Sequence, residues 1–362
     1  MIIYVSMLVV VFIGYCLQKT VVDVRRHDTR AAKFLVLLTF GYIIFWAGIR
    51  NRFVDTAAYI SKFIGTQWQD LYSLEISFDS GWGFDLLMIL FKTFISDNYH
   101  AWLMFLAIIS GTCLAVVFWR CSSNYYYTLF LFLSMIGFTW LMNGIRQFLA
   151  VAIIFACTPL LEKKRWLPYC IVVLLCVTIH ATCIIMIPAY FVVHGKPWTK
   201  KTMLLIVATI LILFFTSKFT NLMDSVLADT KWADVTTNPE FAADDGVNPL
   251  RVLVFSVPTI LAFIGRKRMN NENVIVQIMT NMSILTTCIY AVGMVTTGVL
   301  FGRLPIYIEL YSYILLPYVI NKSFTKNSRL FLYGVSIVCY LFYFYLMTRG
   351  MYYSSELTGF IL

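Results

Sequence analysis

The sequence predicts an all-α polytopic membrane protein of about 11–12 transmembrane segments, among them a short-armed hairpin. Three observations carry this reading. The chain is 60% hydrophobic and 13% charged, about half the charge of an average soluble domain. Its apolar residues fall in a dozen runs, many close to the roughly 20 residues that a membrane-crossing helix needs. Basic residues gather in alternate connections between those runs, the asymmetry that orients membrane helices. The expected organisation is a single multi-span domain over 1–362, interrupted by long loops at 51–99 and 220–249.

The first run, 2–18, has no basic residue ahead of it, as a cleaved signal would require, and reads as a retained span. Further runs follow at 34–50, 101–119, 124–143 and 147–161. The segment 166–194 has basic residues at both ends, so both ends lie on one side of the membrane. Two arms of about 14 residues, roughly 21 Å each, fit that constraint. They form a hairpin with His180 at its tip. The remaining runs are 202–219, 250–265, 274–297, 304–320 and 330–348.

One set of connections holds 18 of the 28 Lys and Arg and only four acids, Asp23, Asp28, Glu162 and Glu272. The opposite set holds 10 bases and 14 acids. The positive-inside rule makes the first set cytoplasmic and leaves both termini outside. The net charge of +10 is thus an orientation signal, and nucleic acid is excluded as a partner. Eight of the nine cysteines lie in apolar runs, which argues against a disulfide framework. The cytoplasmic connections are short and carry no phosphate-cradling glycine loop, which excludes a nucleotide-using domain there.

Both long loops fall on the outer side. Within 51–99, residues 82–95 have the apolar period of a helix lying on the membrane surface. The 220–249 loop is acidic and reads either as a solvated loop or as a lid over a site.

The candidate site centres on Asn143-Gly144-Ile145-Arg146-Gln147, between the apolar runs 125–142 and 148–161. An ionisable group at such a depth is costly and marks a functional site by default. Arg50, Arg146 and Arg303 each stand where a span meets the outer face, beside Asp55 and Tyr59, Gln147, and Tyr307 respectively. The planar guanidinium fork grips phosphate through two parallel bonds and keeps its charge when desolvated, so three such groups suit a diphosphate. The competing reading is snorkelling to lipid headgroups. His180 reads as a general base, because imidazole titrates near neutral pH, or as a packed histidine bonded to a carbonyl. Cys176, His180 and Cys183 share a helix face at metal-ligand spacing with no evident fourth ligand, and the expectation is no metal and no cofactor. Asp55, Asp79 and Asp85 in the first outer loop offer carboxylates for acid–base work or for solvation.

These residues together resemble the EpsG group of Wzy-type polysaccharide polymerases. The matching pieces are Arg50 with Asp55-Thr56 and Tyr59, Asp79-Ser80-Gly81 before the amphipathic stretch, Asn143-Gly144-Ile145-Arg146-Gln147, His180 in the hairpin, and Phe301-Gly302-Arg303-Leu304 with Tyr307 before Pro317. The chain departs from the family pattern at Phe53, where Gly is usual, and at Asp79, where Glu is usual. The resemblance covers about 40–320 and implies a membrane glycosyltransferase of GT-C-like architecture. It implies that undecaprenyl-diphosphate-linked oligosaccharide repeat units are joined on the outer face of the bacterial cytoplasmic (inner) membrane, in O-antigen, capsule or exopolysaccharide synthesis. His180 and Arg146 are then the catalytic residues, and Arg50, Asp55, Tyr59, Asn143, Gln147, Arg303 and Tyr307 bind diphosphate or sugar. Membrane lipid, a flippase and a chain-length regulator are the implied partners. An O-antigen ligase, a membrane acyltransferase, and a flippase or transporter are the competing readings.

Overall fold

A computed structural model describes residues 1–21, 30–227, 246–269, 272–296 and 298–361. Most of the expected 220–249 loop, including 228–245, lies outside the described residues. The described residues form helices, with one two-stranded antiparallel ribbon among them, Ser354–Ser355 against Phe360–Ile361. Among the described residues, four helices are long and apolar enough to cross a membrane: Arg30–Gly48, Tyr99–Cys121, Val274–Val295 and Lys326–Thr348. A pair, Lys200–Phe214 with Thr216–Met223, meets the same test but bends by 100°. Shorter apolar helices are Ile2–Gln18, Ile145–Ala156, Trp166–Val177, Ala181–Val193 and Pro249–Ile264. The protein is an all-α polytopic membrane protein.

Several expected spans are broken, and the sequence supplies reasons. The run 147–161 divides into Ile145–Ala156 and Thr158–Glu162. Pro159 has no N–H to donate, and within a continuous helix its ring would strike the carbonyl of Phe155. The Thr158 hydroxyl takes up that carbonyl instead, at 2.6 Å. The run 124–143 stops at Ser134 and resumes as a short 3-10 turn, Gly137–Leu141, because Ile136 adopts a positive φ of 61°. The run 304–320 is a 3-10 turn, Leu304–Tyr307, with Pro305 near its start, and then helix Leu310–Ser323. The 166–194 segment is helix Trp166–Val177, a 3-10 turn Ala181–Ile185 and helix Met186–Val193, with His180 at the break.

The chain divides into two compact units. The first comprises Met1–Pro159, Leu167–Cys183 and Gly334–Leu362. Its frame is the close crossing of Arg30–Gly48 and Tyr99–Cys121. A Cβ at Gly111 would lie 2.3 Å from the Ile44 side chain, and one at Gly48 would lie 2.9 Å from the Met104 Cα. Small residues let helix backbones approach where lipid provides no hydrophobic drive for association. Gly111→Leu is therefore expected to destabilise the detergent-purified protein by about 1–3 kcal/mol, read as a lowered Tm. Gly41→Leu, in the partner helix Arg30–Gly48 with nothing within 4 Å, should leave Tm unchanged.

The 51–99 loop is largely helical. Thr56–Gly65 and Trp82–Phe94 bring Phe63, Phe84, Met88 and Phe91 onto Trp102, Leu103 and Leu106 in one buried cluster. The 82–95 stretch thus forms the expected helix, and its apolar face is covered by protein. Lys92 holds the end of Thr56–Gly65, donating to the carbonyls of Phe63, Ile64 and Thr66 at 2.9, 2.6 and 2.7 Å. A cation serves the negative end of a helix dipole.

The second unit comprises Leu160–Trp166 and Ile184–Tyr333. Val274–Val295 is its most enclosed long helix. Hydroxyls join it to its neighbours: Thr259 lies 2.9 Å from Ser283 and 3.0 Å from Thr287, and Ser312 donates to Ser283 at 3.2 Å. The Asn281 amide donates to the carbonyls of Val193 and Gly195 at 2.8 and 2.9 Å. Polar bonds of this kind hold helices together inside lipid.

Candidate functional site

In the first unit, two turns distant in sequence are joined. The turn after Arg30–Gly48 carries Arg50, Asp55 and Thr56, and the turn before Ile145–Ala156 carries Asn143 and Gly144. Asp55 Oδ2 accepts the Gly144 N–H at 2.9 Å, and the Thr56 hydroxyl lies 3.3 Å from the Met142 carbonyl. Gly144 sits at φ 59° as the N-cap of its helix, a conformation that costs any other L residue roughly 1–2 kcal/mol. Asp55 therefore sets the position of the turn that launches Arg146.

Arg146 stands in the first turn of Ile145–Ala156, half-buried. The positive end of the helix dipole disfavours a cation there, so tertiary contacts must hold the side chain. Its Nη1 donates to the Ser80 carbonyl at 3.4 Å, a long bond that grips the group weakly. The guanidinium rests on Gly81. A Cβ at that residue would lie 2.7 Å from Nη1 and 3.1 Å from the Ile179 carbonyl, and Gly81 has φ 73°. Gly83 N–H donates to the Thr178 carbonyl at 2.8 Å. The Ser80–Gly83 turn is thus the piece against which Arg146 and the residue preceding His180 both rest. Gly81→Ala meets both obstacles, the positive φ and the guanidinium, and is expected to shift Arg146. Activity that depends on Arg146 should then fall by about tenfold or more at unchanged protein abundance, a loss of about 1.4 kcal/mol or more, with abundance read on an immunoblot.

His180 is half-buried at the helix break. Its Nδ1 lies 2.8 Å from the Thr182 hydroxyl and its own N–H donates to the Cys176 carbonyl at 2.9 Å. The tautomer in which Nδ1–H donates to Thr182 puts the lone pair on Nε2. Cys176 and Cys183 are buried, and Cys183 Sγ is directed at the Val173 carbonyl at 3.5 Å. These two cysteines and His180 do not gather as a metal-ligand group among the described residues.

Arg50 is 1% exposed. Its Nε donates to Thr56 Oγ1 at 3.0 Å, Nη1 donates to the Ala47 carbonyl, and Nη2 is buried without a hydrogen bond. Burial lowers this guanidinium to about 10, against the opposing pull of Asp55, so it stays charged at neutral pH. A segment near the C-terminus straps it down. Asn51 N–H donates to the Ser354 carbonyl at 3.0 Å, Ser355 Oγ to the Ile49 carbonyl at 2.7 Å, and the Tyr353 hydroxyl to the Trp46 carbonyl at 2.7 Å. The Glu356 carboxylate accepts from Asn51 Nδ2 at 2.7 Å and from the Tyr99 hydroxyl at 3.0 Å. Sequence reasoning missed this strap, because two-residue pairings over 300 positions apart leave no local pattern.

The remaining predicted residues divide by exposure and by unit. Tyr59 is half-buried with its ring edge-on to Phe84 at 6.2 Å, Asn143 is half-buried, and Gln147 is buried. Asp85 pairs with Lys62 at 2.6 Å. Arg303 and Tyr307 belong to the second unit, where Arg303 is exposed at the start of its 3-10 turn and Tyr307 is buried. Also missed was Glu309, a 2% exposed acid of the second unit. Its signal was readable: it is the one charged residue of the apolar run 304–320, and an acid in such a run calls for explanation.

A family model described as EpsG family matches residues 33–357 of the chain. No curated protein and no solved structure matches it.

Proposed function

Because this chain belongs to the EpsG family, a family of Wzy-like polymerases, we propose that it is a glycosyltransferase that polymerises lipid-linked saccharide repeat units. In this reading the substrates are oligosaccharides carried on undecaprenyl diphosphate. The reaction takes place on the outer face of the cytoplasmic membrane and builds a surface polysaccharide. The observation that supports it best is the packing of Arg146 and the turn before His180 on the same glycine, Gly81. That arrangement packs the Arg146 guanidinium and the backbone next to His180 against one turn, which favours a reading in which the two side chains serve one reaction.

The bond broken is the one between the anomeric carbon of the growing chain and its diphosphate. The bond formed joins that carbon to a hydroxyl oxygen of the incoming unit. Negative charge develops on the departing diphosphate, and a fixed arginine stabilises it more in the transition state than in the ground state. The helix N-terminus beneath Arg146 adds backbone N–H groups to the same task. The acceptor hydroxyl loses its proton as it attacks, and His180 Nε2 takes it, with Thr182 holding the ring. Tyr59 and Asn143, each half-buried, are assigned to the sugar. Arg50, Asp55 and Gln147 brace the walls. In the second unit, Arg303 is assigned to phosphate, and Tyr307 supports its turn.

The test is reconstitution. Purified protein in liposomes, given repeat units isolated on undecaprenyl diphosphate, should convert them to a ladder of lengths and release undecaprenyl diphosphate. Protein that binds these units yet forms no glycosidic bond would overturn the reading. Transfer of finished polymer to a different acceptor would replace it with the ligase reading.

A further inference from the structure

In the second unit a cavity of about 350 Å³ opens between the turns at 196–199 and 266–269 and the start of helix Val274–Val295. Three bases line it, Lys196, Arg266 and Lys267, against one acid, Glu272. The charge of that acid is already met. Glu272 Oε1 pairs with Lys322 Nζ at 3.3 Å, and its Oε2 accepts from the Tyr318 hydroxyl. Lys196 and Lys267 are exposed, and neither forms an ion pair among the described residues. The cavity therefore carries an excess of positive charge.

Two helices begin at the same place and add to that excess. Asn273 caps Val274–Val295, its side chain accepting from the Val276 N–H at 3.2 Å, and Thr199 stands at the N-cap of Lys200–Phe214 without a side-chain capping bond. A helix start favours an anion and disfavours a cation, yet the side chains gathered here are bases. The positive-inside rule accounts for bases on this side of the charge pattern, but not for their convergence on one cavity. Arg266 is held in a defined pose. Its guanidinium lies over the Phe263 ring, 4.0 Å from the centre, and Nη1 donates to the Phe263 carbonyl at 2.9 Å. This fixes the plane of the fork and leaves its outer N–H groups for a planar or tetrahedral oxyanion. The Trp198 ring meets Phe263 edge-on at 5.1 Å. Phe263 and Ile264 are 41% and 58% exposed, so apolar surface continues from the cavity along helix Pro249–Ile264. A soluble anion has no use for that surface, whereas acyl chains do.

We propose that this cavity seats the phosphate of an anionic phospholipid, with Lys196, Arg266 and Lys267 on the headgroup and the acyl chains along Phe263 and Ile264. Basic pockets between helices on the base-rich side of membrane proteins take headgroups of this charge, and an amphipathic ring such as Trp198 suits the boundary between headgroup and chain. These residues belong to the second unit, whereas Arg146 and His180 belong to the first. Lipid binding is accordingly measured without any polymerisation, and its outcome does not depend on the polymerase reading.

The experiment titrates the full chain, purified in a neutral detergent, with phosphatidylglycerol or with phosphatidylcholine of the same chains, and counts retained lipids by native mass spectrometry. Wild type is expected to hold one phosphatidylglycerol at least about tenfold more tightly than phosphatidylcholine. Lys196→Gln/Lys267→Gln should weaken that binding by about thirtyfold, the worth of two basic residues at an anionic surface. Tm should not change, because both side chains are exposed. Lys163→Gln/Arg165→Gln removes the same charge from exposed residues that do not line the cavity, and it should bind phosphatidylglycerol as wild type does. Equal losses in the two double variants would reduce the effect to a general attraction of the basic face and overturn the proposal, as would equal retention of both lipids by wild type. Inorganic phosphate at matched ionic strength should neither displace phosphatidylglycerol nor raise Tm. If phosphate raises the Tm of wild type but not of Lys196→Gln/Lys267→Gln, and phosphatidylglycerol is not preferred, the cavity takes a soluble anion and the lipid assignment falls.

Discussion

Arg146→Ala is expected to leave single repeat units where wild type makes a ladder, at membrane abundance close to wild type. The abundance follows from the geometry. Arg146 is half-buried and makes a long 3.4 Å bond to the Ser80 carbonyl, so truncation exposes little and leaves no buried partner charge. The activity follows from the chemistry. Removing one preorganised donor from a developing oxyanion costs about 10²–10³ in rate, and a processive ladder compounds the deficit at every step. Arg146→Lys separates this role from its rival. A lysine snorkels to lipid headgroups as well as an arginine does, so a headgroup contact predicts a normal ladder. The diphosphate reading predicts a shortened one, because a single ammonium cannot reproduce the two parallel bonds of the fork. A full ladder from Arg146→Ala would remove the arginine from the chemistry altogether.

The fold class was legible because a membrane imposes a simple rule. Every span must be apolar and must satisfy its own backbone, and composition reports that directly. Where spans break was legible only in part. Pro159 announces the interruption after Ala156, but nothing local marks Ile136, whose positive φ is imposed by its surroundings. The site divides in the same way. The Asn143–Gln147 stretch declared itself through an arginine in apolar company. Its dependence on Asp55 did not, since a carboxylate in a loop reads as a ligand or as solvated until Gly144 N–H is seen to donate to it. Arg50 illustrates the opposite case. As sequence it is a cation at a span end, equivalent to Arg146, yet the Tyr353–Glu356 strap and Thr56 enclose it. Two arginines that pattern alone treats as twins thus take different parts, one bracing the turn and the other lying half-open beside Gly81.

His180→Ala should likewise halt chain growth at single units, and the comparison with His180→Gln carries the argument. An amide occupies much of the imidazole's space and can still bond the Thr182 hydroxyl, which in the wild type is 2.8 Å from Nδ1, but it has no basic nitrogen. If His180 only packs against its neighbours, the Gln variant restores the ladder that Ala loses. If it accepts the acceptor's proton, both fail alike, by about 10²–10⁴ in rate. Thr182→Val then gives an intermediate result, because the ring keeps its basicity and loses its orientation. Backbone support for the turn does not depend on the side chain. His180 N–H donates to the Cys176 carbonyl and its carbonyl accepts from Cys183, bonds that survive all three substitutions. Abundance should accordingly hold while the ladder collapses. A normal ladder in His180→Ala would return the residue to packing and leave the proton to Asp55 or to the substrate itself.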